Sequence, residues 1–362
     1  MRNKKILTIN PGSTSTKLAL FSGEERILSS SISHSTEEIS KFPKIIDQKE
    51  YRTNMVLNFL KENDIELNTL DAVVGRGGLL TPLKSGTYEV NREMVDYLAK
   101  TPLEHASNLG AIIALSITES HGIPAYIVDP VVVDEMDDIA RVTGIPEIER
   151  KSIFHALNQK AAAREAAKSL GQKYEDCNLI VAHLGGGISI GAHKQGLVVD
   201  VNNALNGDGP FSPERAGSVP AWSLVEMATC GDYTLGEMKK KLTGKGGIVA
   251  HLGTNDLREV NKMIESGDQK AEMVFDAMAY NVAKEIASLS PIFKGNLDAI
   301  VLTGGIAHNK DFIKLLQERV EFLAPVKIFP GEDEMAALCQ GGLRVLTNEE
   351  EVKTWTNSGG KG

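Results

Sequence analysis

The chain has 362 residues, 42% of them hydrophobic and 24% charged, and a net charge of −9. That length accommodates two domains of ordinary size, each with a substantial core. An acidic chain without a Lys/Arg cluster argues against nucleic acid or an anionic membrane as partner, so any bound anion has to be held by a few placed cations.

In chain order, KKILTIN (4 to 10) is a short apolar run with strand character. It is too short for a signal peptide, and no small-residue cleavage site follows. No window approaches the ~20 apolar residues of a membrane span, so the chain reads as cytoplasmic. NPGSTSTK (10 to 17) then offers glycine, hydroxyls and a lysine, the surroundings a phosphate favours. KLALF resumes strand character, SGEE reads as a turn, and RILSSSIS as a third strand. A P-loop is followed at once by a helix whose N-terminus cradles the phosphate. Here strands flank the loop on both sides, so it is the tip of a β-hairpin, and the Walker class is excluded by context as well as by spacing.

Further along, LDAVVGRGG (70 to 78) reads as a strand ending in a glycine turn. EHASNLGAIIALSITESHG (104 to 122) reads as a helix, and IPAYIVDP (123 to 130) as a strand entering a carboxylate-bearing turn. HALNQKAAAREAAKSLG (155 to 171) and QKAEMVFDAMAYNVAKEIASL (269 to 289) read as packing helices. Cys177, Cys230 and Cys339 form no CxxC pair and are odd in number, so they read as reduced core thiols rather than a disulfide framework. The tail from Thr354, TWTNSGGKG, reads as frayed.

The second half repeats the first. NLIVAHLGGGISIGAHKQGLVVDVNN (178 to 203) has the same strand–loop–strand–turn–strand order, with GGG in the place of PGSTST. LDAIVLTGGI (297 to 306) matches LDAVVGRGG. NKDFIKLLQERVEFL (309 to 323) then reads as a helix, and APVKIFPGEDE (324 to 334) as a strand into a second acidic turn. A repeat this long is not a solenoid. It predicts two α/β domains of one topology, a meander followed by alternating helix and strand, with a ligand cleft expected between them.

Two meander domains with a phosphate hairpin in each resemble the superfamily of actin, sugar kinases and heat-shock chaperones. Within it, NPGSTSTK, GRGG, FHALNQK, HLGGGIS and TGGIAHN together resemble the acetate and butyrate kinase family, from Lys4 to about Leu346. The resemblance implies two duplicated ribonuclease-H-like (actin-like ATPase) domains with an interdomain active-site cleft. The expected domains are 1–177, joined by 335–362, carrying the acid and the first phosphate hairpin, and 178–334, carrying the ATP site. Two features lean towards the butyrate or branched-chain branch. The chain is short for an acetate kinase, and NGDGPFSPERAGSVP (206 to 220) replaces the pattern acetate kinases carry there. The implied reaction is ATP + butanoate = ADP + butanoyl phosphate, with Mg²⁺ and a homodimer or higher homo-oligomer.

That reaction needs cations rather than a base. A carboxylate nucleophile is already ionised at pH 7, and the obstacle is bringing an anion to a triphosphate. Arg76 in GRGG and Arg215 in SPERAG have the fork geometry suited to carboxylate or phosphoryl oxygens. By resemblance, Arg76 holds the acid and Arg215 stabilises the phosphoryl group in transit. Carboxylates suit Mg²⁺. Asp129 is cast as the catalytic carboxylate, and Glu334, with Asn10, as metal-linked. Glu334 reads equally well as a helix N-terminal carboxylate favoured by the dipole. Asp134, Asp137 and Asp138 read as a solvated face. His155 and His183, which composition alone would leave as structural histidines, are cast as donors to phosphate oxygens.

Asn10, Gly12, Ser13, Ser15 and an inward-pointing Lys17 form the first phosphate hairpin, mirrored by Gly185, Gly186 and Gly187. Gly304, Gly305, Ile306 and Asn309 resemble the adenosine site, where glycines permit close approach and a helix N-terminus lies nearby. Gly77, Gly78, Leu103 and Phe154 are expected around the acyl chain, the two glycines giving room where acetate kinases carry a longer turn ending in His-Gly-Gly. One methylene in an apolar pocket discriminates by only ~1 to 3 kcal/mol, so propionate, isobutyrate and valerate stay open as substrates. An acetate, propionate or branched-chain acid kinase, a sugar kinase with Asp129 as base, and a nucleotide-switched binding module are the alternatives on this fold.

Overall fold

The computed structural model describes residues 3–357 and divides into two units, one from residues up to 133 and from 333 onward, the other from 134 to 332.

In the first unit, β1 (Lys5–Pro11), β2 (Ser15–Ser22) and β3 (Glu25–Ser33) form an antiparallel meander. β4 (Ala72–Arg76) adds parallel to β1, and β6 (Ala125–Val128) parallel to β4. Between them in sequence, β5 (Thr87–Glu89) pairs antiparallel with the outer edge of β6. The parallel strands are apolar almost without interruption because both faces are covered. Ala72, Val73 and Val74 are fully buried. The helices Asn108–Thr118 and Glu334–Leu346 both pack on β4. Close packing there depends on glycine pairs. A Cβ on Gly75 would lie 2.3 Å from the Gly110 carbonyl, and one on Gly342 2.8 Å from Val74.

The second unit repeats the order. β7 (Asn178–Leu184), β8 (Ile188–Lys194) and β9 (Leu197–Val201) form a meander, β10 (Ala299–Gly304) runs parallel to β7, and β11 (Val326–Pro330) parallel to β10. The β8–β9 turn places Gln195 (φ +50°) and Gly196 (φ +84°) both in the left-handed region, the two-residue geometry whose twist matches a hairpin. The helix Gln269–Leu289 starts at Asp268, whose carboxylate accepts from the amides of Lys270 and Ala271. It buries Phe275, Met278, Val282 and Ile286 at helical spacing against the sheet. The helix Ala156–Ser169 covers β7 and β10 with its alanines. Strand for strand, β1–β2–β3–β4–β6 corresponds to β7–β8–β9–β10–β11, the duplication expected from the two hairpins.

Three expectations are corrected. The boundary near 177 moves to 133/134. The helix at 156 packs on the second sheet, and Glu135, whose side chain is 2% exposed, pairs with the buried Lys160 on that helix at 2.8 Å. The tail is not frayed up to Asn357. β12 (Lys353–Thr354) adds parallel to β5, Trp355 is buried with its indole N–H donating to Thr81, and residues 358–362 lie outside the described residues. Finally, Cys177 and Cys339 are buried, the latter pushed up to about 12 by burial, whereas Cys230 is exposed and is no core thiol. No helix among the described residues is long and apolar enough to cross a membrane.

Candidate active site

In the first unit the hairpin tip is a tight turn, with the Gly12 amide donating to the Ser15 carbonyl at 2.7 Å, and Ser13 exposed. Beneath it lies Arg52, from the helix Lys49–Glu62, only 1% exposed. Its Nη1 donates to the carbonyls of Gly12 (2.9 Å) and Ser15 (3.1 Å) and to Thr16 Oγ1 (3.0 Å), while Nε and Nη2 hold Gln48 Oε1. These partners are neutral. Burial draws the guanidinium pKa down from its ordinary value, yet an arginine stays charged in proteins. The tip of the first hairpin therefore rests on a desolvated positive charge.

Lys17 does not point inward; it is exposed, and the neighbours that turn inward are Thr16 and Leu18. It does pair across the ladder with Asn10, so the two side chains share one face. Asn10 Nδ2 donates to Glu334 Oε2 at 2.5 Å, and the other oxygen of Glu334 pairs with Arg76. Three residues read separately from the sequence thus form one cluster in the first unit. Glu334 is also the first residue of its helix, the helix N-terminal position that was one of the two expected for it. Asp129 is 2% exposed at the end of β6, with φ +37°. A left-handed non-glycine residue stores strain that surrounding contacts must hold. Here the Gly86 amide donates to its Oδ1 at 2.7 Å. His105 lies near Arg76, and burial, then the arginine, lower its pKa.

The glycines after Arg76 have a different reason from the expected one. A Cβ on Gly77 would meet Pro130 at 2.6 Å, and one on Gly78 the Asn108 Cα at 2.7 Å. The space over them is filled by protein, so they do not open room for an acyl chain. Leu103, by contrast, is exposed.

In the second unit His155 stands at the N-cap of Ala156–Ser169, beside the buried Phe154. Its ring stacks on His183, centroids 3.8 Å apart and planes 10° from parallel. His183 Nδ1 lies 2.6 Å from Asn158 Oδ1, and its Nε2 3.4 Å from Glu332. Gly185 and Gly187 close the second hairpin tip through an N–H···O bond of 3.2 Å. Ser212 Oγ donates to the Gly186 carbonyl at 2.6 Å and accepts from the Arg215 amide, tying the SPERAG loop to the tip. Arg215 lies across Gly187, where a Cβ would come 1.8 Å from Nη1; that glycine makes room for a guanidinium. Nη1 donates to the Ala204 carbonyl, and the buried Nε has no partner among the described residues.

A cavity of about 820 Å³ brings Gly185 and Gly186 together with Gly305, Ile306 and Asn309. The hairpin read as phosphate-binding and the turn read as adenosine-binding therefore line one space, of a size usual for a nucleotide-sized ligand. Gly305 faces open space. Gly304, at φ +88°, packs instead against the Leu184 carbonyl, which a Cβ would approach to 2.4 Å. Asn309 caps the helix Lys310–Val320, its Oδ1 accepting from the Phe312 amide.

Among the described residues no three His, Cys, Asp or Glu side chains cluster to hold a metal. Mg²⁺ does not need such a cluster, since it usually takes one or two carboxylates with phosphate oxygens and water. Glu334 with the Asn10 amide fits that pattern.

Arg52, Asn158, Gln159 and Ser189 went unread in the sequence. Asn158 and Gln159 stand three and four residues after His155, a spacing that turns all three to one helix face. Arg52 carries no comparable signal, since its partners in the hairpin tip lie 36 to 40 residues away.

Two sheets of one meander order, each with a hairpin tip, define a duplicated actin-like ATPase fold. The chain belongs to the Acetokinase family, whose model matches residues 143–351. It is 54% identical over 352 residues, 97% of this chain and 99% of the relative, to Butyrate kinase 2 of Clostridium acetobutylicum. Acetate kinase of Porphyromonas gingivalis superposes with a TM-score of 0.77 at 19% identity, covering 95% of this chain and 100% of that one. A propionate kinase of Francisella tularensis superposes at 0.71 with 22% identity, covering 93% and 98%.

Proposed function

We propose that the protein transfers the γ-phosphoryl group of ATP to a short-chain carboxylic acid, with butanoate as the principal substrate: ATP + butanoate = ADP + butanoyl phosphate. The observation that carries this is Arg215, a desolvated guanidinium laid over a glycine hairpin with a buried N–H that no group among the described residues takes up. Such a donor suits the oxygens of a phosphoryl group in transit. The 54% identity to a butyrate kinase supports the choice of acid.

In this reading Arg76 anchors the acid carboxylate, near Asp129, and Leu103 and Phe154 stand by the acyl chain. Asn10, Gly12, Ser13, Ser15 and Lys17 hold phosphate oxygens at the first hairpin. Gly185, Gly186, Gly187 and His183 do so at the second. Gly305, Ile306 and Asn309 receive the adenosine, and His155 donates to the moving group. Glu334 and Asn10 are the residues that would hold Mg²⁺, which supplies charge neutralisation on the phosphates. A cytoplasmic homo-oligomer goes with this reading.

The test is a panel of acids with ATP, Mg²⁺ and hydroxylamine. Acyl hydroxamate is expected from butanoate with the highest kcat/KM, with isobutyrate, valerate and propionate as slower substrates in no set order. No hydroxamate from any acid defeats the reading, and a clear preference for acetate defeats the assignment to butanoate.

Arg52 gives a second expectation. Arg52→Gln removes the fork that holds Gly12, Ser15 and Thr16; the Ser15 carbonyl keeps the Gly12 amide, but the half-buried Gly12 carbonyl loses its guanidinium donor, at a cost of ~2 kcal/mol in stability. Hydrogen exchange at the amides of residues 12 to 16 should quicken, and kcat/KM for ATP should fall about tenfold. Arg52→Lys should recover little, because an ammonium cannot reproduce the fork. Unchanged exchange in the tip would show that Arg52 does not hold it.

A further inference from the structure

We propose that Tyr174, His193, Gln159 and Ser189 form a hydrogen-bond chain of fixed direction that holds His155 as its Nε2–H tautomer, making Gln159 and Ser189 positioning residues for phosphoryl transfer. The inference rests on the reading of His155 as a donor, and extends it by deriving which nitrogen carries the proton.

The direction is set by one group that can only accept. Gln159 Nε2 lies 2.9 Å from the Ser189 carbonyl. A carbonyl has no proton, so the amide NH₂ of Gln159 must face β8, and its Oε1 must face the other way. There Oε1 meets His193 Nε2 at 2.9 Å. An amide oxygen only accepts, so His193 carries a proton on Nε2. His193 is fully buried. Burial first, then the charges of Lys160 and Arg164, hold its pKa well below the ordinary value, so the ring is neutral. Its Nδ1 then bears the lone pair, and the Tyr174 hydroxyl, 2.7 Å away, donates to it.

The other end follows by the same logic. The second N–H of the Gln159 amide donates to Ser189 Oγ at 2.7 Å. The His155 main-chain N–H also points at that oxygen, at 3.4 Å. Both are donors, so they cannot receive the serine proton. Among the described residues, the acceptor left within reach of Ser189 Oγ is His155 Nδ1, at 2.9 Å. The hydroxyl donates there, and the proton of neutral His155 resides on Nε2.

Every link is shielded. Gln159, Ser189 and His193 are 0% exposed and Tyr174 4%. Stacking on His183 fixes the plane of the ring. The consequence is chemical. A neutral imidazole with Nε2–H donates to a phosphoryl oxygen, whereas the opposite tautomer turns a lone pair towards anionic oxygens.

The test reads the tautomer directly. In protein labelled with ¹⁵N-histidine, long-range ¹H–¹⁵N correlation at a pH where the histidines are neutral should show His155 with a protonated Nε2 and a bare Nδ1, the resonance being assigned by its loss in His155→Gln. Ser189→Ala should turn this into a mixture of tautomers. It should lower kcat about tenfold, the worth of one hydrogen bond, while the KM values for ATP and acid stay within about twofold. Gln159→Met is the second variant should Ser189→Ala fail to fold, with the same expected pattern. A protonated Nδ1 in the parent protein overturns the inference, as does an unchanged tautomer in the variant that folds. The spectra need no substrate, so a failed hydroxamate assay with the expected tautomer defeats the kinase reading alone. An active enzyme with the opposite tautomer defeats only this inference.

Discussion

Arg215→Ala is expected to lower kcat by about 10³-fold, with the KM for ATP within about threefold of the parent. The guanidinium is anchored through Nη1 to the Ala204 carbonyl and spans Gly187, while its Nε–H is buried with no partner among the described residues. Burial lowers its pKa from the ordinary arginine value, which marks the charge as poorly solvated. A donor held this way serves best where negative charge concentrates during transfer, and little in the ground state, so the loss should fall on kcat. Two companions separate charge from position. Arg215→Lys keeps the charge without the fork and should recover a minor part of the activity. Gly187→Ala leaves Arg215 in the sequence but puts a methyl group 1.8 Å from its Nη1, so the guanidinium must move. It should reproduce most of the kcat loss. Single-turnover kinetics with ATP and butanoate would measure all three. A kcat within threefold of the parent in Arg215→Ala would sink the assigned role.

The duplication was legible because it rests on local pattern. Short apolar runs flanking a hydroxyl-rich or glycine-rich tip can only be hairpins, and the recurrence of LDA, strand and glycine pair marks β4 and β10 as equivalents. Residues set by long-range contact were not legible. Arg52 is one of many charged residues on an ordinary helix until the fold brings the Gly12 carbonyl to it. Glycines misled for a related reason. A bare Cα in sequence signals close approach without naming what approaches. At Gly77 it is Pro130 and at Gly187 it is Arg215, whereas Gly305 faces open space. The domain boundary failed similarly, because an Ala-rich helix between two repeats packs with whichever sheet its partners choose. Lys160, buried against Glu135 and the Gly196 carbonyl, decides it for the second unit.

Arg76→Ala is expected to raise the KM for butanoate by about 10- to 100-fold, with far less effect on the KM for ATP. A charge-assisted hydrogen bond to a carboxylate contributes ~1.5–3 kcal/mol, which sets that range. The structure adds a complication that sharpens the test. Arg76 is paired with Glu334, which also accepts from Asn10. If Glu334 served only to orient Arg76, Glu334→Gln would copy Arg76→Ala and act on the acid alone. If Glu334 and Asn10 hold Mg²⁺ on the nucleotide, Glu334→Gln should instead raise the Mg²⁺ concentration for half-maximal rate, by about tenfold, and lower kcat. Arg76→Ala should leave the Mg²⁺ dependence where it was. Removing the arginine also strips Glu334 of its cation, so the double variant Arg76→Ala/Glu334→Gln should lose less than the product of the two single effects. Initial rates over a grid of butanoate and Mg²⁺ concentrations distinguish the cases. Equal Mg²⁺ dependence in Glu334→Gln and the parent would remove the metal from Glu334 and leave it as the arginine's partner.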